Sequence, residues 1–364
     1  MPNARQLADF ATSLEKTFGT KIMPKEPLVR DIVSTRSLTL DWALRHGGLE
    51  SGCIYEMIGP PDSGKTSLAI GILAEAQRMF PDRAVAYLDL EKTFRELWAT
   101  RLGLDCSPAA ARAGLWLHPY PATSEDASDL ARTLAGSGMV SFIVIDSVGG
   151  MESAKVLGNK AGKDTMGKNA QVITRMGKEL ATLTRQENCT ILMINQPRAN
   201  YSGYGGDLSA GPKALQHATT AKIDIKRIGG EGNEPKKMKF GDSEEPVSFK
   251  TRAIIKRMKN GTPGRTAEFW FNIQDTDLYG PVGVFAADEY AVMGIRLGVI
   301  AREGKGSYYV IPGAPKVNGR AAVAELLRGR PDLMENVRKG VLEAQASEAA
   351  EATGTTDAEE NQDA

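Results

Sequence analysis

The chain has 364 residues, 41% of them hydrophobic and 25% charged, with a formal net charge of zero; this supports one main soluble body with smaller appendages. Its three scattered cysteines, Cys53, Cys106 and Cys189, form no CxxC pair, which excludes a disulfide framework and a cysteine zinc site. No run of about eighteen apolar residues occurs, and the opening "MPNARQLADFATSLEKTFG" lacks an apolar leader core, so no membrane segment is expected and the chain reads as cytoplasmic.

In chain order, Leu7, Phe10, Leu14 and Phe18 fall on one face of a helix over 5–18, too short to bury that stripe against itself. A partner surface is required, from this chain or a neighbouring copy. Then "SLTLDWALR" reads as helix, "CIYEMIG" as strand, "SLAIGILAEAQRMF" as helix, "RAVAYLDLE" as strand and "SEDASDLARTLAGSG" as helix. "VSFIVIDSV", "NAQVITRMGKELATLTRQEN" and "CTILMINQ" follow as strand, helix and strand. Apolar strands alternating with helices predict a mostly parallel sheet covered on both faces, with ligands at the strand C-termini. From residue 222, "AKIDIKRIGG" and "VSFKTRAIIKRMKN" around the charged stretch "EGNEPKKMKFGDSEEP" predict an antiparallel hairpin extending the sheet. "ADEYAVMGIRLGVIARE" predicts a helix, "GSYYVIPG" a strand, and "RAAVAELLRGRPDLMENVRKGVLEA" two helices split near Pro331. The last residues, 341–364, hold seven acidic side chains and no Lys or Arg, which leaves residues 1–340 at +7. The tail is expected without regular structure from about residue 346, either as a solubilising end or as a polyanion competing for a basic surface.

Between the first strand and its helix, "GPPDSGKTS" (Gly59, Pro60, Pro61, Asp62, Ser63, Gly64, Lys65, Thr66 and Ser67) fits G-x-x-x-x-G-K-[ST]. Glycines let backbone N–H groups face phosphates at the positive helix end, Lys65 supplies a point charge and Thr66 a hydroxyl for Mg²⁺. Asp146 ends the strand "FIVID", where its carboxylate can hold the water shell of Mg²⁺ or cap a turn. In "AYLDLEKTF", Asp89 and Glu91 leave the neighbouring strand on one face, and Glu91 is placed to orient and deprotonate an attacking water. Gln196, after "MIN", can hydrogen-bond a γ-phosphate and lose that bond on hydrolysis. Two Gly-containing basic segments flank this edge, one carrying Lys155, Lys160, Lys163 and Lys168, the other two tyrosines, Arg198 and Lys213; such loops suit a phosphodiester backbone, or are solvated surface.

The motif order "TLDWALRHGGLESGCIYEMIGPPDSGKTS", "YLDLEKTF", "FIVIDSV", "TMGKNAQVITRMGKEL", "MINQPR", "GPKALQHATTAKIDIKRIG" and "TRAIIKRMKNGTPGRTAEFWF" resembles the RecA recombinase family of bacteria and phages, over roughly residues 5–340. The resemblance implies an α/β P-loop ATPase core with a mostly parallel central sheet, a short N-terminal helix-strand arm and a small α+β C-terminal domain. The implied boundaries are 1–33 for the oligomerisation helix and linker, 34–272 for the core, 273–344 for the small domain and 345–364 for the acidic tail. Two DNA-binding loops are implied near 152–167 and 197–212. It also implies ATP and Mg²⁺ as cofactors, with Thr66 and Asp146 at the metal. Partners would be single- and double-stranded DNA and further copies of the chain in a helical filament, acting in recombination, repair and the SOS response. Arg257 and Lys259 match lysines that reach the γ-phosphate of the neighbouring subunit. Arg95 and Trp98 match residues at the adenine. Met166, Gln171, Thr174, Lys178, Arg198, Ala199, Gly211, Pro212 and Lys213 match DNA-contacting positions, and Tyr201 the wedge between base triplets.

Departures from the family pattern are Pro61 for an acidic residue, Arg95 for Asp, Trp98 for Tyr, Gln171 for Arg and Pro212 for a Gly whose N–H would bind phosphate; proline has no N–H to give. The second loop is about two residues shorter than the family's. Three readings stand: an ATP-dependent strand-exchange protein, a regulatory or protective DNA-binding filament with little exchange, and a ring-shaped motor on the same core.

Overall fold

The structure is a computed structural model and describes residues 4–19, 30–45, 47–148, 163–198, 208–209, 218–259, 261–304 and 306–353. It divides into two units, residues 1–31 and 32–364. In the first, α1 (Ala4–Phe18) is the helix the apolar spacing predicts, and Leu7, Phe10 and Phe18 stand 55–69% exposed along it.

In the second unit β1 (Ile32–Val33) pairs with β2 (Leu49–Glu50) around α2 (Leu38–Ala43), whose N-cap Ser37 accepts from the Leu40 N–H. The core follows as β3 (Ile54–Ile58), α3 (Lys65–Met79), β4 (Ala84–Asp89), α4 (Glu96–Arg101), α5 (Pro108–Arg112), β5 (Trp116–Leu117), α6 (Ser124–Ala135), β6 (Val140–Asp146), α7 (Lys163–Gln186) and β7 (Thr190–Asn195). Next come the short pair β8 (Pro197–Arg198) and β9 (Leu208–Ser209), then β10 (Ala221–Arg227), β11 (Lys236–Phe240), β12 (Ser243–Met258), β13 (Thr266–Asn272) and β14 (Gly283–Val284). Ten strands form one sheet in the order β14-β13-β12-β10-β3-β7-β6-β4-β5, with β11 paired outside on β12. Pairing is parallel from β10 to β5 and antiparallel from β10 through β12 and β13 to β14.

Strands β3, β4, β6 and β7 are buried at every position, which is why they read as unbroken apolar runs. Alternate residues feed two cores. Tyr55, Tyr87, Phe142 and Leu192 pack with Leu68 and Ile72 of α3, while Ile54, Leu88, Ile143 and Met193 pack with Ala131 of α6 and Leu180 of α7.

The charged stretch between the two predicted hairpin strands holds a strand of its own: Lys236–Phe240 pairs with Ser243–Ser248 through the turn at Gly241, whose φ of +62° only glycine adopts easily. Pairing of β14 with β13 also carries the sheet beyond residue 272.

The C-terminal part comprises α8 (Ala286–Arg296), the antiparallel β15 (Ala301–Glu303), β16 (Tyr308–Val310) and β17 (Val317–Asn318), then α9 (Arg320–Gly329) and α10 (Pro331–Thr353). The helix expected to run through "ARE" stops at Arg296, since Gly298 at φ +75° turns the chain and frees Ala301–Glu303 to pair with β16. The last helix runs on through Thr353, because "QASEAAEAT" is rich in the strong helix formers Ala, Gln and Glu; the beginning of the stretch expected without regular structure is therefore helical. A third core around Met293, Ile311, Leu327 and Val337 also takes in Leu38 and Trp42 of α2. The Trp42 ring lies between the guanidinium groups of Arg265 and Arg296, at 3.6 and 3.4 Å from its centroid. Glu289 is fully buried beside it, accepting from the Thr39 N–H at 2.9 Å and the Ser37 hydroxyl at 2.8 Å.

Candidate nucleotide site

The phosphate-binding sequence occupies the turn between β3 and α3. Gly59 has no alternative there: a Cβ would lie 2.2 Å from the Ile225 carbonyl oxygen of β10 and 2.8 Å from the Ser63 hydroxyl. Asp62 at φ +58° and Gly64 at φ +92° wind the turn into the helix. Gly64 is the N-cap and brings no capping side chain, so the first-turn N–H groups of α3 face the concavity of the loop and suit an anion. Lys65 opens the helix, and its Nζ donates to the Pro60 carbonyl at 2.6 Å and to the Ser63 hydroxyl at 3.2 Å. Burial pushes its pKa down, against the pull of Asp146, Glu91 and Asp62.

The ends of β3, β4, β6 and β7 bring the remaining predicted groups to this edge. Asp146 is 2% exposed; one of its oxygens accepts from the Thr66 hydroxyl at 2.9 Å and from the Tyr87 hydroxyl at 2.6 Å. Burial raises the Asp146 pKa, the two hydroxyls oppose that, and the nearby Glu91 and Asp89 carboxylates add to it. Such a buried, partly compensated carboxylate gains from a cation. Among the described residues no cluster of three or more His, Cys, Asp or Glu is placed to hold a metal. The Thr66 hydroxyl and the Asp146 carboxylate, 2.9 Å apart, are hard oxygen donors of the kind that fit Mg²⁺.

Glu91 lies just beyond β4. Its Oε1 accepts from the Ser147 hydroxyl at 2.5 Å and faces the Gln196 amide nitrogen at 3.5 Å. The Leu90 and Glu91 N–H groups both donate to the Asp146 carbonyl, at 2.7 and 3.3 Å, which ties the Glu91 turn to the end of β6. Three of the predicted chemical groups thus meet from three strands. Spacing along the chain did not reveal Ser147 or Tyr87; the strand alternation that puts Tyr87 on the face of Asp89 was the available signal.

Nor did it reveal what supports Asp89. That carboxylate is 1% exposed, accepts from the Thr93 and Phe94 N–H groups at 3.3 and 3.1 Å, and lies 3.7 Å from His118 Nε2. His118 sits among Tyr87, Phe94, Trp116 and Tyr120, with the Phe94 centroid at 4.3 Å. Burial there lowers the imidazole pKa and Asp89 opposes the shift.

Trp98 donates its indole N–H to the Ser67 hydroxyl at 3.0 Å, so the edge of its ring lies beside the first turn of α3. Arg95, the N-cap of α4, is exposed nearby in sequence. Arg257 and Lys259 are elsewhere. The register sets Arg257 against Lys222 and Lys222 against Glu56, so Lys259 lies at the end of the sheet where β3 begins, opposite the phosphate loop. There it shares a concavity with Cys53, Thr184, Arg185 and Thr220. Burial, Arg257 and Arg185 all lower its pKa. Within the chain these two cations therefore lie away from Lys65.

Of the positions read as DNA-contacting, Thr174 and Lys178 lie one turn apart on α7, half-buried and exposed respectively. Met166 and Gln171 fall in the same helix and Arg198 in β8, with side chains outside the described residues. Ala199, Tyr201, Gly211, Pro212 and Lys213 lie outside them altogether. Among the described residues no helix is long and apolar enough to cross a membrane.

A family model described as the RecA N-terminal domain matches residues 5–274. The chain is similar to Protein RecA of a Thermus thermophilus strain, 30% identical over 363 residues that cover 98% of each. It is also 30% identical to Protein RecA of Chloroherpeton thalassium over 345 residues, 93% of this chain and 89% of that one. The same protein of Bordetella petrii is 30% identical over 349 residues, 94% and 90% of the two chains.

Proposed function

The chain belongs to the RecA family, and from that premise we propose that it is a DNA-dependent ATPase that assembles on single-stranded DNA as a filament and exchanges strands with a homologous duplex. The observation that carries the reading is the meeting of Thr66, Asp146, Glu91, Ser147 and Gln196 at the mouth of the phosphate loop. In this reading Lys65 and the first-turn N–H groups of α3 hold the β- and γ-phosphates. Thr66 and Asp146 would hold Mg²⁺, which would supply charge neutralisation at the phosphate oxygens. Glu91, kept in place by Ser147 and the Leu90–Asp146 backbone bond, accepts the proton of a water whose oxygen bonds the γ-phosphorus as the bridging bond to ADP breaks. Gln196 senses the γ-phosphate and, at 3.5 Å, the same carboxylate. Trp98 offers a face for the base, and Arg257 and Lys259 face the next subunit's nucleotide.

The departures at Gln171 and Pro212 support a second reading, a DNA-binding filament with a regulatory or protective role and little exchange. Two assays decide. Electron microscopy with single-stranded DNA and a slowly hydrolysed ATP analogue should give extended helical filaments; closed rings would refute both readings. Pairing of circular single strands with linear duplex should then yield ATP-dependent joint molecules. Filaments and DNA-stimulated turnover without joint molecules would select the second reading.

A further inference from the structure

The middle of the sheet carries a buried polar chain that the nucleotide chemistry does not use. Glu56 lies on β3, between β10 and β7, and is 1% exposed. Its Oε1 accepts from Asn195 Nδ2 at 2.9 Å and its Oε2 lies 3.7 Å from Lys222 Nζ, itself only 15% exposed. The Asn195 oxygen in turn accepts the Gln196 backbone N–H at 2.9 Å, and the Gln196 side chain reaches Glu91. At the other end Lys222 stands opposite Arg257, and the Lys259 N–H donates to the Thr220 carbonyl two residues before Lys222. The line of contacts therefore crosses the sheet from the catalytic edge to the strand pair carrying both outlying cations.

An ion pair in that position costs several kcal/mol of desolvation per charge, and well-packed apolar residues would serve stability as well or better. The flanking Ile54, Ile58, Ile191 and Met193 are apolar and buried. Stability therefore does not account for Glu56.

We propose that Glu56 is a positioning residue that joins the two phosphate-facing ends of one subunit. Through Asn195 it fixes the backbone of Gln196, and through Lys222 it fixes the strands that carry Arg257 and Lys259. The proposal rests on the reading above in which those two cations serve the neighbouring subunit's nucleotide. Its consequence is that the nucleotide state of one subunit reaches the next, so hydrolysis is cooperative in ATP.

The test compares wild type, Glu56→Leu, which removes the acceptor of the Asn195 amide, Lys222→Met and the charge-conserving Lys222→Arg, each checked for fold by circular dichroism. Two quantities are read: ATP turnover on single-stranded DNA as a function of ATP concentration, and amide hydrogen exchange at Gln196 in the free protein. In Glu56→Leu and Lys222→Met the Hill coefficient should fall toward unity and kcat should drop on the order of 10-fold, with the ATP concentration at half-maximal rate within about twofold. The Gln196 amide should exchange faster, and Lys222→Arg should resemble wild type. A Glu56→Leu protein with wild-type cooperativity and unchanged Gln196 exchange overturns the proposal, as does a wild type that hydrolyses ATP on DNA without cooperativity. If wild type does not hydrolyse ATP at all, the functional reading fails instead. Exchange at Gln196 then decides by itself whether Glu56 positions that residue: faster exchange supports it and unchanged exchange overturns it.

Discussion

The side chains at the mouth of the phosphate loop act as a set because each is held by a neighbour from another strand. Lys65 combines a buried stem with a head that three acidic groups attract, so Lys65→Ala should lower ATP turnover by about 100-fold or more, the scale of removing a preorganised phosphate-facing charge. A steady-state assay showing wild-type turnover would place the active site elsewhere. Gly59→Ala tests the backbone rather than the charge. Its methyl would press into the Ile225 carbonyl at 2.2 Å, and the strand must move, at a cost of about 1–3 kcal/mol. Thermal melting and ATP titration should both register the change, and an unaltered midpoint would show that β10 yields without penalty.

Between elements, two buried acids hold α2: Glu289 joins it to α8, and Asp41 joins it to the Ser34–Thr35 segment before it. Burial lifts Glu289 to about 7, against hydrogen bonds from Thr39 and Ser37, and lifts Asp41 to about 7 against Ser34 and Thr35. Because both folded-state values lie above the unfolded ones, the folded protein binds more protons. The associated stability is complete below the ordinary carboxylate range and is lost as pH rises through about 7. Thermal midpoints should therefore fall between pH 5 and pH 8, with up to about 3 kcal/mol of stability lost through Glu289, and Glu289→Gln should flatten that dependence. A wild-type midpoint that rises over this interval would contradict the assignment. The β11–β12 ribbon shows another junction. Lys236 Nζ sits 4.5 Å from the centroids of Trp270 and Phe285 and 4.9 Å from Tyr279, which anchors a strand in a stretch that charge alone presents as loop.

For the molecule as a whole, the charge split and the exposed apolar face of α1 each lead to a solution experiment. Phe10 is 62% exposed, and in a head-to-tail assembly a neighbouring copy would cover it. Phe10→Ser should then shift the protein from polymers to small species in light scattering, with the melting midpoint of the 32–364 unit unchanged; persistence of polymers would remove α1 from the interface. The acidic tail is tested at the same scale. Deleting residues 345–364 leaves a basic body, which should speed association with duplex DNA at low salt and lose that advantage as salt rises. A rate that is unchanged or slower would leave the tail a solubilising role.

The two-core sheet, the phosphate loop, the strand-end placement of Asp146 and Glu91 and the break at Pro331 were legible in the sequence, because strand alternation, glycine spacing and proline all act within a few residues along the chain. The β11 strand, the turn at Gly298 and the helix continuing to Thr353 depend on pairing partners or on propensity overriding charge, so pattern alone misplaced them. Only the tertiary structure set Ser147 and Gln196 against Glu91, set Trp98 beside Ser67, and carried Arg257 and Lys259 to the far end of the sheet. These are relations between residues distant in the chain, and register and burial determine them rather than local preference. The Glu56–Asn195–Lys222 line belongs to the same class, since nothing in "CIYEMIG" distinguishes a buried relay from a surface carboxylate until β7 and β10 close over it.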